Sequence, residues 1–366
     1  MIYRVIGLMS GSSLDGLDIA FVEFHANGGA WQYEIKAAEC YSYSEEWVRK
    51  LKGATSLNAL DYQLLHTAYG HYIGEQVNQF IATHQLHYQV QLIASHGHTT
   101  FHMPSQKLTG QLGDGAAIAA VTGINVVSDL RAMDLALGGQ GAPIVPIGEK
   151  LLLGDYQFFL NLGGIANISY NHPSAYVAYD VCPANRVLNM LAHDLGKNFD
   201  EGGQLAAAGK LQTGLLDMLN KLEYYGMPYP KSLANDFGTD VVYPLIKGST
   251  NAGDGLRTTV EHIALQVKGA VQQLLNDKGS GATNLKLLAT GGGAHNSFLV
   301  ERLREHLQEL QVELVVPDNK LVDFKEAMIM GLIGVLRWRE ENNVLASVTG
   351  ALRNSIGGAV WIGQEA

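Results

Sequence analysis

The residues of this 366-residue chain that can do chemistry gather at three glycine-rich turns, at one carboxylate, and at a set of histidines with an arginine. The first turn, Gly11-Ser12-Ser13-Leu14-Asp15-Gly16, separates two β-like runs, residues 3–9 and 17–23, and reads as a hairpin with a wide polar tip. Backbone N–H groups and hydroxyls of such a tip can converge on one phosphate chain, and missing Cβ atoms permit close approach. Asp15, and Asp18 just beyond Leu17, stand where a carboxylate can hold Mg2+ against those phosphates. The layout recurs at Asn161-Leu162-Gly163-Gly164-Ile165, between the runs 158–162 and 165–170. A third turn, Gly291-Gly292-Gly293, ends the apolar run 285–289 and leads through Asn296 into helical spacing at Phe298, Leu299, Leu303 and Leu307. One such turn alone is most often an ordinary turn, and the P-loop pattern is absent. Three together point to ATP, with two hairpins gripping phosphates from opposite sides and bare glycine backbone facing the flat adenosine.

Asp180 follows the apolar run 175–179 and precedes Val181-Cys182-Pro183-Ala184-Asn185, where a helix is expected to begin. A carboxylate there suits proton abstraction from a water or hydroxyl nucleophile. Capping the helix is the structural alternative. Arg131 lies between Asp129 and Asp134, ahead of the permissive Gly138-Gly139-Gln140-Gly141-Ala142-Pro143, and the stretch reads as a loop lining a cleft. The planar fork of Arg131 suits a sugar carboxylate or hydroxyls, or equally a salt bridge with either acid. The cluster Ser95-His96-Gly97-His98-Thr99-Thr100-Phe101-His102 has no nearby cysteine and no metal spacing, so zinc is rejected in favour of a hydrogen-bonding wall for a hydroxylated ligand. His96 and His98, at alternate positions, can share one strand face.

Helical patterns over 59–83, 185–195, 258–276 and 324–341 alternate with the strands, which gives an α/β class with mixed sheets. The recurring strand, glycine turn, strand unit suggests two similar halves, and the chain length favours two domains. The expected division is residues 1–128 for a first lobe, with a segment from about 345 to 366 returning to it, and 129–344 for a second. With 47% hydrophobic residues, the chain still holds no apolar run of the roughly 18 residues that a membrane span needs. A formal charge of −10 opposes broad attraction to nucleic acid or anionic lipid. Residues 1–7 lack the features of a secretory signal, so a cytoplasmic protein is expected, and Cys40 and Cys182 supply neither a disulfide framework nor a metal cluster.

Taken together the motifs resemble the anhydro-N-acetylmuramic acid kinases, members of the sugar kinase, chaperone ATPase and actin superfamily. The resemblance spans nearly the whole chain and rests on residues 7–18, 95–99, 129–143, 161–167 and 291–296, on Glu326-Ala327-Met328 and on Val348-Thr349-Gly350-Ala351. It implies the actin/hexokinase type: two ribonuclease H-like lobes, mixed sheets flanked by helices, and a cleft that closes over a sugar. It implies ATP bound by residues 11–18 together with Asn161, Gly163, Gly164, Gly291, Gly292, Gly293 and Asn296, and Mg2+ with Asp15 and Glu326 as partners. Sugar contacts would come from Ser95, His96, His98, Asp129, Arg131 and Gln140, and Asp180 would be the base. The implied reaction phosphorylates O6 of 1,6-anhydro-N-acetylmuramic acid while water opens the bridge at C1, within peptidoglycan recycling, in a homodimer.

The chain departs from the family pattern in places. Cys182-Pro183-Ala184-Asn185 stands where Gly-Pro-Gly-Asn is usual, and Lys231-Ser232-Leu233-Ala234-Asn235-Asp236 where Lys-Ser-Thr-Gly-Arg-Glu is usual. His98 replaces a glutamine, and Gln111-Leu112-Gly113-Asp114 varies a related loop. These changes leave open a kinase for another anhydro or simple sugar, and a silent nucleotide and sugar sensor.

Overall fold

A computed structural model describes the chain apart from residues 12, 173–174, 230, 234–235, 279–283 and 365–366. Twelve strands are formed among the described residues. They are β1 (Ile2–Ser10), β2 (Gly16–Asn27), β3 (Ala30–Ser42), β4 (Leu92–Met103), β5 (Leu108–Leu112), β6 (Val126–Ser128), β7 (Phe158–Leu162), β8 (Ile165–His172), β9 (Ala175–Pro183), β10 (Leu285–Thr290), β11 (Val312–Val315) and β12 (Ala359–Trp361). The chain divides into two compact units, Met1–Leu153 with Phe324–Ala366, and Gly154–Asp323.

In the first unit the sheet order is β12-β6-β4-β1-β2-β3, with β5 paired to the outer half of β4. In the second it is β11-β10-β7-β8-β9. Both sheets share one plan. A three-stranded antiparallel meander, β1-β2-β3 or β7-β8-β9, takes a parallel strand on the free side of its first member, β4 or β10, and a further parallel strand beyond it. This is the mixed, helix-flanked α/β arrangement expected for each half.

Sequence periodicity explains the packing. On β1 the side chains of Ile6 and Leu8 join Phe21, Tyr69, Ile73 and Ile93 in one core, which the helix Ala59–Thr83 covers. That helix starts at Asn58, whose side-chain oxygen accepts a hydrogen bond from the amide of Asp61 at 3.0 Å. Residues on the opposite face of β1 meet the helix Asn319–Trp338, and there Gly7 is decisive: a Cβ on it would lie 1.9 Å from the carbonyl oxygen of Ala327 and 2.7 Å from the amide of Gly331. In the second unit, Leu160, Ile168, Val181, Leu188, Ile263, Leu287 and Leu303 belong to a separate core around the helix Ala252–Lys278.

The backbone-on-backbone contact at Gly7 corrects the sequence-based boundaries. The segment that returns to the first unit begins at Phe324 instead of near 345, because most of the helix Asn319–Trp338 packs on β1 and β4; residues 129–153, read as second-lobe, also belong to the first unit. Gly7→Ala is expected to destabilise the protein by about 3 kcal/mol, since neither backbone can yield without opening the helix from the sheet. Urea denaturation followed by circular dichroism reads this as a lowered midpoint, and an unchanged midpoint would refute the close approach.

Candidate active site

The β1–β2 hairpin tip is built as a polar turn. Ser13 Oγ donates to Asp15 Oδ1 at 2.6 Å, and the same oxygen accepts from the amide of Gly16 at 3.1 Å. Leu14 takes φ 60°, a left-handed conformation unusual for a leucine, while its side chain packs against the first core. Ser12 lies outside the described residues. Leu17 is buried in the core and Gly16 packs its backbone against Cys40, so both shape the hairpin, and among the described residues Gly11, Ser13, Leu14 and Asp15 form its tip. Asp18 is half-buried within β2.

Parallel pairing of β4 with β1 brings the histidine segment to this tip. The register runs Leu8↔Ser95 and Ser10↔His98 across a bulge, with Gly97 at φ 71°, so the two histidines do not simply alternate along one strand face. His98 Nδ1 is 3.1 Å from Ser10 Oγ, which accepts from Tyr43 OH at 2.8 Å, and Tyr43 OH in turn lies 2.6 Å from Tyr69 OH. Ser10 Oγ thus links the His98 ring to the two tyrosines in one buried hydrogen-bonded chain. Burial holds His98 neutral by pushing its pKa down to about 4.

His96 is paired with Arg131. Arg131 Nε donates to His96 Nε2 at 2.8 Å and Nη1 to the carbonyl of Gly141 at 3.1 Å, while His96 Nδ1 lies 2.8 Å from the carbonyl of Gly97. An imidazole that accepts at Nε2 carries its proton on Nδ1. Burial first, and then the Arg131 charge, push His96 down to about 3. Burial also lowers Arg131 to about 10, opposed by Glu326, whose own carboxyl is pushed up by its burial. Of the two alternatives for Arg131, the salt bridge with Asp129 or Asp134 is not formed. Asp134 instead accepts from the amide of Gly141 at 2.7 Å and from Thr349 Oγ1 at 2.7 Å, which ties down the glycine loop. Asp129 is exposed at φ 56° and accepts from Ser128 Oγ, Gln140 is exposed, and Ser95 Oγ is buried with no hydrogen-bond partner among the described residues.

In the second unit the other two glycine turns meet through the pairing Thr290↔Asn161. Gly291, at φ 83°, passes so close that a Cβ would lie 2.5 Å from Asn161 Oδ1. The carbonyls of Gly163 and Gly164 accept from the amides of Asn185 and Ala184, and Asn185 Nδ2 donates to the carbonyl of Leu162 at 2.9 Å. Asn296 Oδ1 caps the helix Ser297–Gln308 by accepting from Leu299, so its oxygen is already used structurally.

Asp180 lies in β9 opposite Asn167. The helix Asn185–His193 starts after Ala184 with no side-chain cap, so Asp180 does not cap it. Its Oδ2 accepts from the amide of Leu233 at 2.9 Å and from Ser232 Oγ at 3.2 Å. Burial raises its carboxyl above the ordinary range, and these two donors act against that rise.

A family model described as anhydro-N-acetylmuramic acid kinase matches residues 3–363. The chain belongs to the anhydro-N-acetylmuramic acid kinase family. It is 34% identical over 362 residues to a relative of that name from Vibrio parahaemolyticus, covering 95% of each chain. It is 32% identical over 371 residues to one from Aliivibrio fischeri, covering 98% of this chain and 99% of the relative. Among solved structures, the (R)-2-hydroxyglutaryl-CoA dehydratase component A of Acidaminococcus fermentans aligns over 91% of this chain and 97% of its own at 13% identity and TM-score 0.45. The activator of the 2-hydroxyisocaproyl-CoA dehydratase from Clostridium difficile, with bound ADPNP, covers 92% and 96% at 15% identity and TM-score 0.41. Both likenesses are too distant to bear on function.

Within this family frame, Glu326 is an enclosed carboxyl, unlike the exposed Asp15. It feels the charges of Arg131 and Lys325, and a divalent cation placed on it would face both cations. Asp15, exposed beside a phosphate-type turn, fits magnesium better, because that ion takes few protein carboxylates and completes its shell with phosphate and water. Ala184, which stands where the family has glycine, takes φ −129° and ψ −106°, outside the ordinary strand and helix regions. Ala234 and Asn235 lie outside the described residues. In the sequence Asn185 and Ser232 stand out only as members of segments that depart from the family pattern, and Tyr224 not at all, since none belongs to a glycine turn or an apolar run. Arg131→Met removes a charge that opposes imidazolium formation, so His96 is expected to titrate at higher pH than in the wild type. Proton NMR of the histidine rings checks this, and an unmoved titration would refute the contact.

Proposed function

We propose that this chain transfers the terminal phosphoryl group of ATP to O6 of 1,6-anhydro-N-acetylmuramic acid while water opens the anhydro bridge, a step of peptidoglycan recycling. The observation that carries the reading is the family match over residues 3–363. The water oxygen bonds C1, the C1–O6 bond breaks, O6 bonds the terminal phosphorus, and ADP leaves. Asp180 takes the proton from that water. Its burial favours the protonated acid, which keeps its basicity high once it is ionised. The hairpin tip at Gly11, Ser13 and Leu14, and separately the turns at Gly163, Gly164 and Gly291–Gly293, are each suited to phosphate or nucleoside, and Asp15 would hold Mg2+. Magnesium would neutralise phosphate charge as it develops.

For the sugar, Arg131 is the natural partner of a carboxylate, since its Nη2 has no hydrogen bond among the described residues while Nε and Nη1 are committed. Under this reading the enzyme is a cytoplasmic homodimer, and its mass in solution tests the dimer.

Purified protein with Mg-ATP and the anhydro sugar is expected to release ADP and a ring-opened sugar phosphate identified by mass. Asp180→Asn should lower kcat by about a thousandfold. Activity should fall on the acidic side as Asp180 protonates, with that limb above the ordinary carboxylate range because burial raises the group. No turnover of this sugar would sink the substrate, and full turnover by the variant would sink the base.

A further inference from the structure

The geometry points to Ser232 as a positioning residue for Asp180: its hydroxyl and the amide of Leu233 hold one carboxylate oxygen, so that the other takes the proton of the attacking water. The inference rests on the reading of Asp180 as the base. Both donors reach the same atom, Oδ2, at 3.2 and 2.9 Å, and Oδ1 accepts no hydrogen bond among the described residues. Two donors on one oxygen fix the rotation of the carboxylate plane, which sets the direction in which Oδ1 presents its lone pairs.

The segment that supplies these donors also clamps the Asp180 main chain. Tyr224 OH donates to the Asp180 carbonyl at 2.5 Å, and the Asp180 amide donates to the carbonyl of Lys231 at 3.3 Å. Lys231 Nζ closes the segment on itself, donating to the carbonyl of Tyr224 at 3.1 Å and lying 4.6 Å from the centre of the Tyr224 ring. Ser232 is thus carried on a braced turn, although its side chain is exposed and makes no other hydrogen bond among the described residues.

Several titratable groups surround Asp180. Tyr224 and Cys182 are pushed up by burial and stay neutral through the working range, and Lys231 is engaged as described. Asp236 and Asp240 line a 270 Å³ pocket together with Tyr224, Ser232 and Leu233, and the β8 neighbour Asn167 carries no charge. Ser232 and the Leu233 amide are the groups that favour the ionised carboxylate directly.

Ser232→Ala, made at an exposed position, is expected to fold as the wild type does. With the anhydro sugar as substrate it should lower kcat about tenfold, as loss of one hydrogen bond to a charged group predicts, and leave KM for the sugar unchanged. The acidic limb of the rate profile should move to higher pH, because a donor to the ionised form is gone. Ser232→Thr restores the hydroxyl and should restore both kcat and the limb. An unmoved limb in Ser232→Ala, a rise in KM with kcat unchanged, or a threonine variant as impaired as the alanine one would each overturn the positioning role. Asp180→Asn run alongside separates the two levels: full turnover there removes the base and the inference with it. Loss of turnover there with a wild-type profile in Ser232→Ala removes only the inference.

Discussion

Both candidate sites depend on one constraint, the parallel neighbour on the first strand of each meander. Because β4 runs in the same direction as β1, its polar end arrives at the β1–β2 hairpin tip, with Ser10 beside His98. β10 does the same for β7, and Thr290 arrives beside Asn161 with Gly291 directly after it. An antiparallel neighbour would have carried those residues to the far edge of the sheet. The carboxyl ends of parallel strands in open α/β sheets are where ligands bind, and here each such end carries a glycine turn and polar side chains.

Burial at those strand ends sets the protonation states. His96 can accept from Arg131 only as a neutral ring, and its enclosure keeps it so. The Arg131 guanidinium, itself destabilised by burial, is balanced by Glu326. Asp180 shows the same opposition of forces, with burial raising the carboxyl and two donors restraining the rise. His98 Nδ1 lies beside Ser10 Oγ, and Tyr43 and Tyr69 continue that hydrogen-bonded chain into the core. Ser95 Oγ and Thr290 Oγ1, on the corresponding strands β4 and β10, are buried without a hydrogen-bond partner among the described residues.

Local pattern made much of the fold legible. The apolar run of β1, the glycine turns and the apolar spacing of the helix Ala59–Thr83 are properties of neighbouring residues, so they can be read without the rest of the chain. The two similar halves showed for the same reason, since the strand, glycine turn, strand unit recurs locally. Asp180 was visible as a polar residue ending an apolar run. Its partners were not, because Ser232 and Leu233 reach it from another part of the chain. The boundary near Phe324 was hidden for the same cause: nothing about Gly7 announces that the Ala327 backbone will press against it.

The sequence by itself determined the α/β class, the glycine turns, the carboxylate and the family to which the chain belongs, all of which are written in short-range pattern. The tertiary structure alone decided that Arg131 pairs with His96 and not with Asp129 or Asp134, that Asp180 is gripped at one oxygen and does not cap a helix, and that the helix Asn319–Trp338 lies on the first sheet. Each of those outcomes is set by strand register and close packing between segments distant in sequence, where residue type gives the capacity to bond but not the choice of partner.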